Sequence, residues 1–200
     1  LSLHDALPIL RETQTYEIID DVAHMKSEIG LLFYNDFNRP VLEKLIHTNE
    51  LTFTELFTAH PHIFIGKNHP LANKDVVSMD ELEEYPYISF EQGDHNSFYF
   101  SEEIFSTVVR PKHIRVRDRA SLFSLLLGLD GYTVSSGVID EEVNGENIIS
   151  VPLAEEGLMH IGYITNNKMH RSRLGQEYIQ ALEQYVGNYG RHIKLPKTKE

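Results

Sequence analysis

The 200-residue chain contains no cysteine. It can form neither a disulfide nor a thiolate zinc site. A reducing cytoplasm is the expected location. No apolar run approaches the roughly 20 residues needed to span a bilayer, so no membrane partner is expected. Positive charge is also scarce, with 18 Lys and Arg against 30 Asp and Glu for a net charge of −12. Nucleic-acid binding depends on clustered Lys and Arg, so this chain by itself is a poor candidate for direct DNA contact. Arg191, Lys194, Lys197 and Lys199 fall in a polar stretch, residues 187–200, expected to be a flexible tail.

Catalytic signatures are missing as well. There is no G-x-S-x-G elbow, no Walker A loop and no G-x-G-x-x-G fingerprint. GLDGYT at 128–133 has two glycines at the wrong spacing and reads as a helix end leading into a strand. No catalytic residue and no cofactor is expected. Eleven histidines raise the question of a metal, with His60, His62 and His69 close in sequence. No H-E-x-x-H stands among them and no carboxylate sits at ligand spacing, so no metal site is assigned. Asp140, Glu141, Glu142 and Glu146 lack EF-hand spacing and read as a solvated face.

What is present is a chain 41% hydrophobic, enough for one domain or two small lobes. Its first nine residues, LSLHDALPI, look like the translation of a common sequencing-adapter oligonucleotide, whose codons ctt tcc cta cac gac gct ctt ccg atc spell them. They are expected to be a scar rather than native protein. Beyond them, Thr15 is expected to cap a helix running to about Lys26, with Ile18, Ile19, Val22 and Met25 at helical spacing. Strands are expected at 29–33, 51–57 and 62–66, with a proline-started helix at 40–47. Residues 68–75 read as a loop, and Ser78 with Glu81 as a capping box for a short helix. Strands follow at 87–90 and 113–117, with a helix between them at 97–109. Asp118 is expected to cap a helix through Leu129 that Gly131 closes. Strands at 132–135, 148–153 and 159–165 precede a last helix at 171–186, with Leu174, Tyr178, Ile179, Leu182 and Tyr185 on one face. This alternation predicts an α/β fold with mostly parallel sheet.

Ligands of open α/β sheets sit beyond the carboxyl ends of strands. Hydroxyl and amide side chains gather at such junctions here. The candidate binding residues are Thr13, Thr15, Asn35, Gln92, Asn96, Ser97, Ser135 and Ser136, with Asn38 beside them. Each alone reads as a cap or turn residue; the collection suggests a site. Hydroxyls and helix N-termini together suit a small carboxylate or oxyanion.

Three segments resemble the LysR-type transcription regulators. SEIGLLFY at 27–34 is similar to a strand of that family, with Glu28 where Asp is commoner. HIFIGKNHPLANKDVVSMDELEEYPYISF at 62–90 resembles its strand, HPLA loop, short helix and crossover strand in order. LLLGLDGYTVSSGVI at 125–139 resembles the helix, glycine turn and strand of its second lobe. The resemblance implies a two-lobed fold of the type II periplasmic-binding-protein kind. Lobe one would hold residues 10–86 and 166–186, lobe two 93–158, with crossover strands at 87–92 and 159–165. It implies a small-molecule effector between the lobes and a homodimer or tetramer. DNA would be bound only through a helix-turn-helix domain that this chain lacks, and the first strand and helix of lobe one would be lost with it. A transporter's solute-binding protein and an enzyme on the same fold, such as a porphobilinogen deaminase or a dehydratase, are the alternatives.

Overall fold

The computed structural model describes residues 8–95, 97–139 and 146–189. Residues 1–7 of the expected scar lie outside that range, and Ile9 and Leu10 beside it are open to solvent. The first half of the chain runs α1 (Thr15–Ala23), β1 (Gly30–Tyr34), α2 (Arg39–Thr48), β2 (Leu51–Ala59) and β3 (His62–Gly66). It continues with β4 (Tyr87–Phe90), β5 (His113–Val116), α3 (Arg119–Gly128), β6 (Thr133–Ser135), β7 (Ile148–Pro152), β8 (Met159–Asn166) and α4 (Arg173–Tyr189). The last helix continues through the first residues of the expected tail, to Tyr189; the rest of the tail is outside the described residues. Among the described residues, no helix is long and apolar enough to cross a membrane.

Two sheet systems organise the chain. In the first, β8 runs between β1 and β2 and is antiparallel to both. Strands β1 and β2 are therefore parallel to each other, as a strand–helix–strand unit requires, but they are not neighbours. Gly162 makes this insertion possible: a Cβ there would collide with the Thr54 carbonyl and the Phe53 ring. In the second system β3 lies between β6 and β7, again antiparallel to both, while β4 pairs in parallel with β5. A bridge from Tyr87 to Tyr132 joins the two groups edge to edge. The expectation of mostly parallel sheet is corrected accordingly. Alternation of strands and helices fixes the relative direction of strands along a unit, not whether a later strand slides between them.

These pairings also move the chain crossing. Residues 62–66 were expected in lobe one, with the crossover at 87–92. Instead β3 is the central strand of the second lobe's sheet, and the chain crosses between Ala59 and His62. It returns between β7 and β8. Every residue of β3 is buried. Ile63 and Ile65 enter the core formed with Leu71, Val77, Leu82 and Val151, while Phe64 faces the other core, with Ile88, Leu122 and Leu126. A strand apolar on both faces belongs inside a sheet covered on both sides. The first lobe has its own core, in which Ile19, Val22, Leu42, Ile46 and Ile164 meet.

The local signals were largely followed. Asp118 caps α3, accepting from Ser121 N at 2.8 Å. Glu81 accepts from Ser78 N at 3.0 Å, although the helix that follows is a single turn at Asp80–Leu82. Thr15 is not a cap. Gln14 occupies that position, and Thr15 is the first helical residue, buried. On α4, Ile179 is buried, but Leu174, Tyr178 and Tyr185 of the expected apolar face are more than a third exposed. The HPLA histidine is structural: His69 Nδ1 accepts from Leu71 N at 3.1 Å and Nε2 donates to Asp130 O at 3.0 Å. Burial lowers its pKa, which suits the neutral ring that this pair of bonds requires.

Asp130, not Gly131, takes the left-handed conformation that ends α3, with φ at 48°. Gly131 is needed for space, since a Cβ there would lie 3.1 Å from the Pro86 carbonyl oxygen. Two substitutions separate these roles. Asp130→Gly is expected to stabilise the fold by about 0.5–1 kcal/mol, by removing a Cβ from a left-handed residue. Gly131→Ala is expected to destabilise it by about 1 kcal/mol or more, because backbone cannot give way. Urea unfolding of both variants checks this, and the reverse order would assign the turn to Gly131.

Candidate functional site

The two lobes meet along a cleft formed by the ends of α1 and β1 on one side and the segment after β4 on the other. Three contacts close it near α1. Glu12 pairs with Arg119 at 2.6 Å, Tyr16 stacks on His95 with ring centroids 3.5 Å apart, and Gln14 packs over Gly93. Further along, Phe37 and Tyr99 stack across the cleft at 4.8 Å.

Next to that stack lies a cavity of about 230 Å³. Its walls are residues 35–38, which follow β1, residues 98–107 of the second lobe, and residues 156–158, where the chain returns. The 35–38 turn is held by its own amides. Asn35 Oδ1 accepts from Phe37 N at 2.9 Å and Asn38 N at 3.1 Å, and Asn38 Oδ1 accepts from Asn35 N at 2.7 Å. A second, smaller cavity of about 90 Å³ lies on the other side of the 98–106 segment, lined by Tyr87, Ser89, Gln92, Ser97, His113 and Arg115 among others. Two buried atoms there, Tyr87 Oη and Gln92 Oε1, have no hydrogen-bond partner among the described residues.

Residues 97–109 were expected to form a helix. They form one short turn, Phe98–Phe100, after which Ser101 is extended (ψ 139°) and Phe105 is left-handed with φ at 62°. The physical reason is a competing contact. Phe90 N at the end of β4 donates to Glu103 Oε1 at 2.8 Å, and Ser101 Oγ donates to Glu103 Oε2 at 2.9 Å. Ile104 is drawn into the second lobe's core, leaving Phe98, Val108 and Val109 exposed. A helix would have to break the Glu103 bonds and carry Ile104 away from its packing.

Glu103 is the residue that sequence reasoning missed. It lines the larger cavity at 4% exposure. Burial, opposed by the Phe90 hydrogen bond and reinforced by neighbouring Glu102, pushes its carboxyl up to about 7. Nothing in the local pattern marks it, because its burial follows from the fold of a loop.

Of the candidate residues, Asn35 and Asn38 line the larger cavity; Gln92 and Ser97 line the smaller. Thr13 bonds to Glu17, Thr15 sits inside α1, and Ser136 accepts from Val138 N at 3.4 Å. Ser135 lies opposite His62 in the sheet. These four line neither cavity. Asn96 lies outside the described residues, as do Asp140, Glu141 and Glu142. Of the histidines weighed for metal, His62 Nδ1 bonds to the His60 carbonyl at 2.8 Å, and both His69 nitrogens are engaged as described.

Two α/β lobes, linked by two chain crossings with a cavity between them, define a ligand-binding domain of the type II periplasmic-binding-protein class. Within that class the chain belongs to the LysR substrate-binding domain family, whose model matches residues 8–187. Solved structures of the same fold include HinK, a LysR family transcriptional regulator from Pseudomonas aeruginosa. It matches with a TM-score of 0.58 and 14% identity over 89% of this chain and 59% of that one. The effector-binding domain of QuiR in complex with shikimate matches with a TM-score of 0.57 and 17% identity, over 88% of this chain and 79% of that one. The reduced form of OxyR matches with a TM-score of 0.57 and 18% identity, over 93% and 82%. A comparison with curated protein sequences gives no match. The chain thus spans about three fifths of the length of the regulator HinK.

The Glu103 geometry has a measurable consequence. Below the ordinary value of 4.5 both folded and unfolded chains hold this proton; between 4.5 and about 7 only the folded chain does. Stability contributed by the protonated form is therefore lost as pH rises through that window, by about 3 kcal/mol. Glu103→Gln stays neutral and can still accept from Phe90 N. It is expected to remove this part of the slope and to be more stable than the parent near pH 8, as urea unfolding from about pH 5 to about pH 8 would show. Identical slopes in parent and variant would assign the titration to another group.

Proposed function

We propose that this chain is the effector-sensing region of a bacterial, cytoplasmic LysR-type transcription regulator. It binds a small molecule in the larger cavity between its lobes and catalyses no reaction. In the whole protein an N-terminal helix-turn-helix domain contacts DNA, and the regulator acts as a homodimer or tetramer. The observation that carries this reading is the construction of the cavity. Its walls come from the end of β1 in one lobe, from residues 98–107 in the other, and from the returning crossing. A ligand held by all three has a different affinity for each relative position of the lobes, which is what biasing a two-state regulator requires.

An enzyme reading has one feature in its favour, the contact of Ser89 Oγ with His113 Nε2 at 2.7 Å. The surroundings oppose it. A general base must become imidazolium, yet burial lowers the pKa of His113, and the nearby charges of Arg115 and Arg110 lower it further. A triad would place a carboxylate there.

The test is a thermal-shift screen of a metabolite library against the purified chain and its Thr107→Trp variant. Thr107 is an exposed wall residue of the larger cavity, so an indole there fills the site without entering the core. At least one compound is expected to raise the parent's melting temperature by about 2 °C or more. The variant should lose that shift while melting at the same temperature alone. A library without hits, or hits indifferent to Thr107→Trp, would overturn the assignment of this cavity.

A further inference from the structure

Anion recognition was the expectation from hydroxyls and helix ends, but the larger cavity presents the opposite sign. Among the described residues, three carboxylates line it, Asp36, Glu103 and Glu156, and no Lys, Arg or His does. Among the described residues none of the three has a cationic partner within ion-pair distance, although Arg39 acts on Asp36 from further away. Arg39 is itself paired with Glu43 at 2.7 Å and lies over the Tyr34 ring at 4.9 Å. The remaining walls carry aromatic surface from Phe37, Phe98 and Phe105.

We propose that the effector of this cavity is an organic cation, a primary ammonium on an apolar or aromatic body, with its charge at Glu103 and its body against the phenylalanines. The proposal rests on the cavity being the effector site. Glu103 is the part that a solvated acidic patch lacks, a carboxyl almost wholly buried, facing a cavity, with no counter-ion. Its two hydrogen bonds, from Phe90 N and Ser101 Oγ, fix the side chain and use one acceptor site on each oxygen. Each oxygen of an ionised carboxylate has roughly two such sites. An ammonium has three donors to offer and brings the missing charge. Aromatic faces favour the same sign, since a cation within about 6 Å of a ring is attracted by its quadrupole. A carboxylate ligand would meet three groups of its own charge, one of them buried.

The coupling to the lobes follows from the same bonds. Glu103 is tied to the end of β4, Asp36 belongs to the other lobe, and Glu156 lies on the return crossing. One cation drawing these carboxylates together favours lobe closure, while an empty cavity leaves them mutually repulsive.

The experiment uses three probes of similar shape near pH 8, where a primary ammonium stays charged: 2-phenylethylammonium, 2-phenylethanol and 3-phenylpropanoate. Titration calorimetry and thermal shift are run on the parent, Glu103→Gln and the exposed-residue variant Asp36→Asn. The cation is expected to bind best, with affinity falling on the order of tenfold in Glu103→Gln and less in Asp36→Asn. The Glu103→Gln protein should meanwhile be the more stable one, so lost binding cannot be ascribed to misfolding. Equal or tighter binding of the alcohol or the carboxylate would overturn the cationic class while leaving the cavity's effector role intact. Cation binding that survives both substitutions, or no binding by any probe, would also overturn it. Failure of the wider reading shows separately, as hits indifferent to Thr107→Trp or a library without hits.

Discussion

Each sheet of this domain is completed by a strand arriving from the other lobe. Strand β8 enters the first sheet between β1 and β2, and β3 enters the second between β6 and β7, both antiparallel to their neighbours. Each lobe's core therefore includes residues reached only after a crossing, such as Ile164 in the first and Ile63 and Ile65 in the second. The lobes cannot separate without unzipping a central strand. They can still move relative to each other about two short links, and the larger cavity lies beside one of them.

The 98–107 segment converts that architecture into a site. It forms a wall of both cavities, stacks Tyr99 on Phe37 across the cleft, and ties Glu103 to the end of β4. Keeping a carboxyl buried without a cation is costly, which is why its pKa rises. The cost is acceptable where a ligand supplies the missing charge, and a stabilising substitution at such a position is expected to weaken binding. The neighbouring smaller cavity carries two buried polar atoms without a hydrogen-bond partner among the described residues, Tyr87 Oη and Gln92 Oε1.

Local rules and tertiary ones divide clearly along the chain. The sequence by itself determined most elements and several of their ends. Asp118 caps α3 because its side chain reaches an N–H three residues on, a matter of local geometry. The apolar run at 62–66 forms a strand and the HPLA segment a loop because period and turn chemistry act over a few residues. The ordered set of segments was enough to mark the family. Only the tertiary structure decided which sheet β3 joins, because an all-apolar strand fits any covered sheet equally well. It also decided that 97–109 is not a helix: apolar spacing favours one, but Glu103's bond to Phe90 N and the burial of Ile104 outweigh it. Thr13, Thr15, Ser135 and Ser136 have the right chemistry yet line neither of the two cavities, since a polar residue at the end of an element can turn its side chain elsewhere. Finally, the sign of the site's charge was invisible in the sequence. Burying a carboxylate and withholding its counter-ion depend on atoms far apart in the chain, and only folding brings them together.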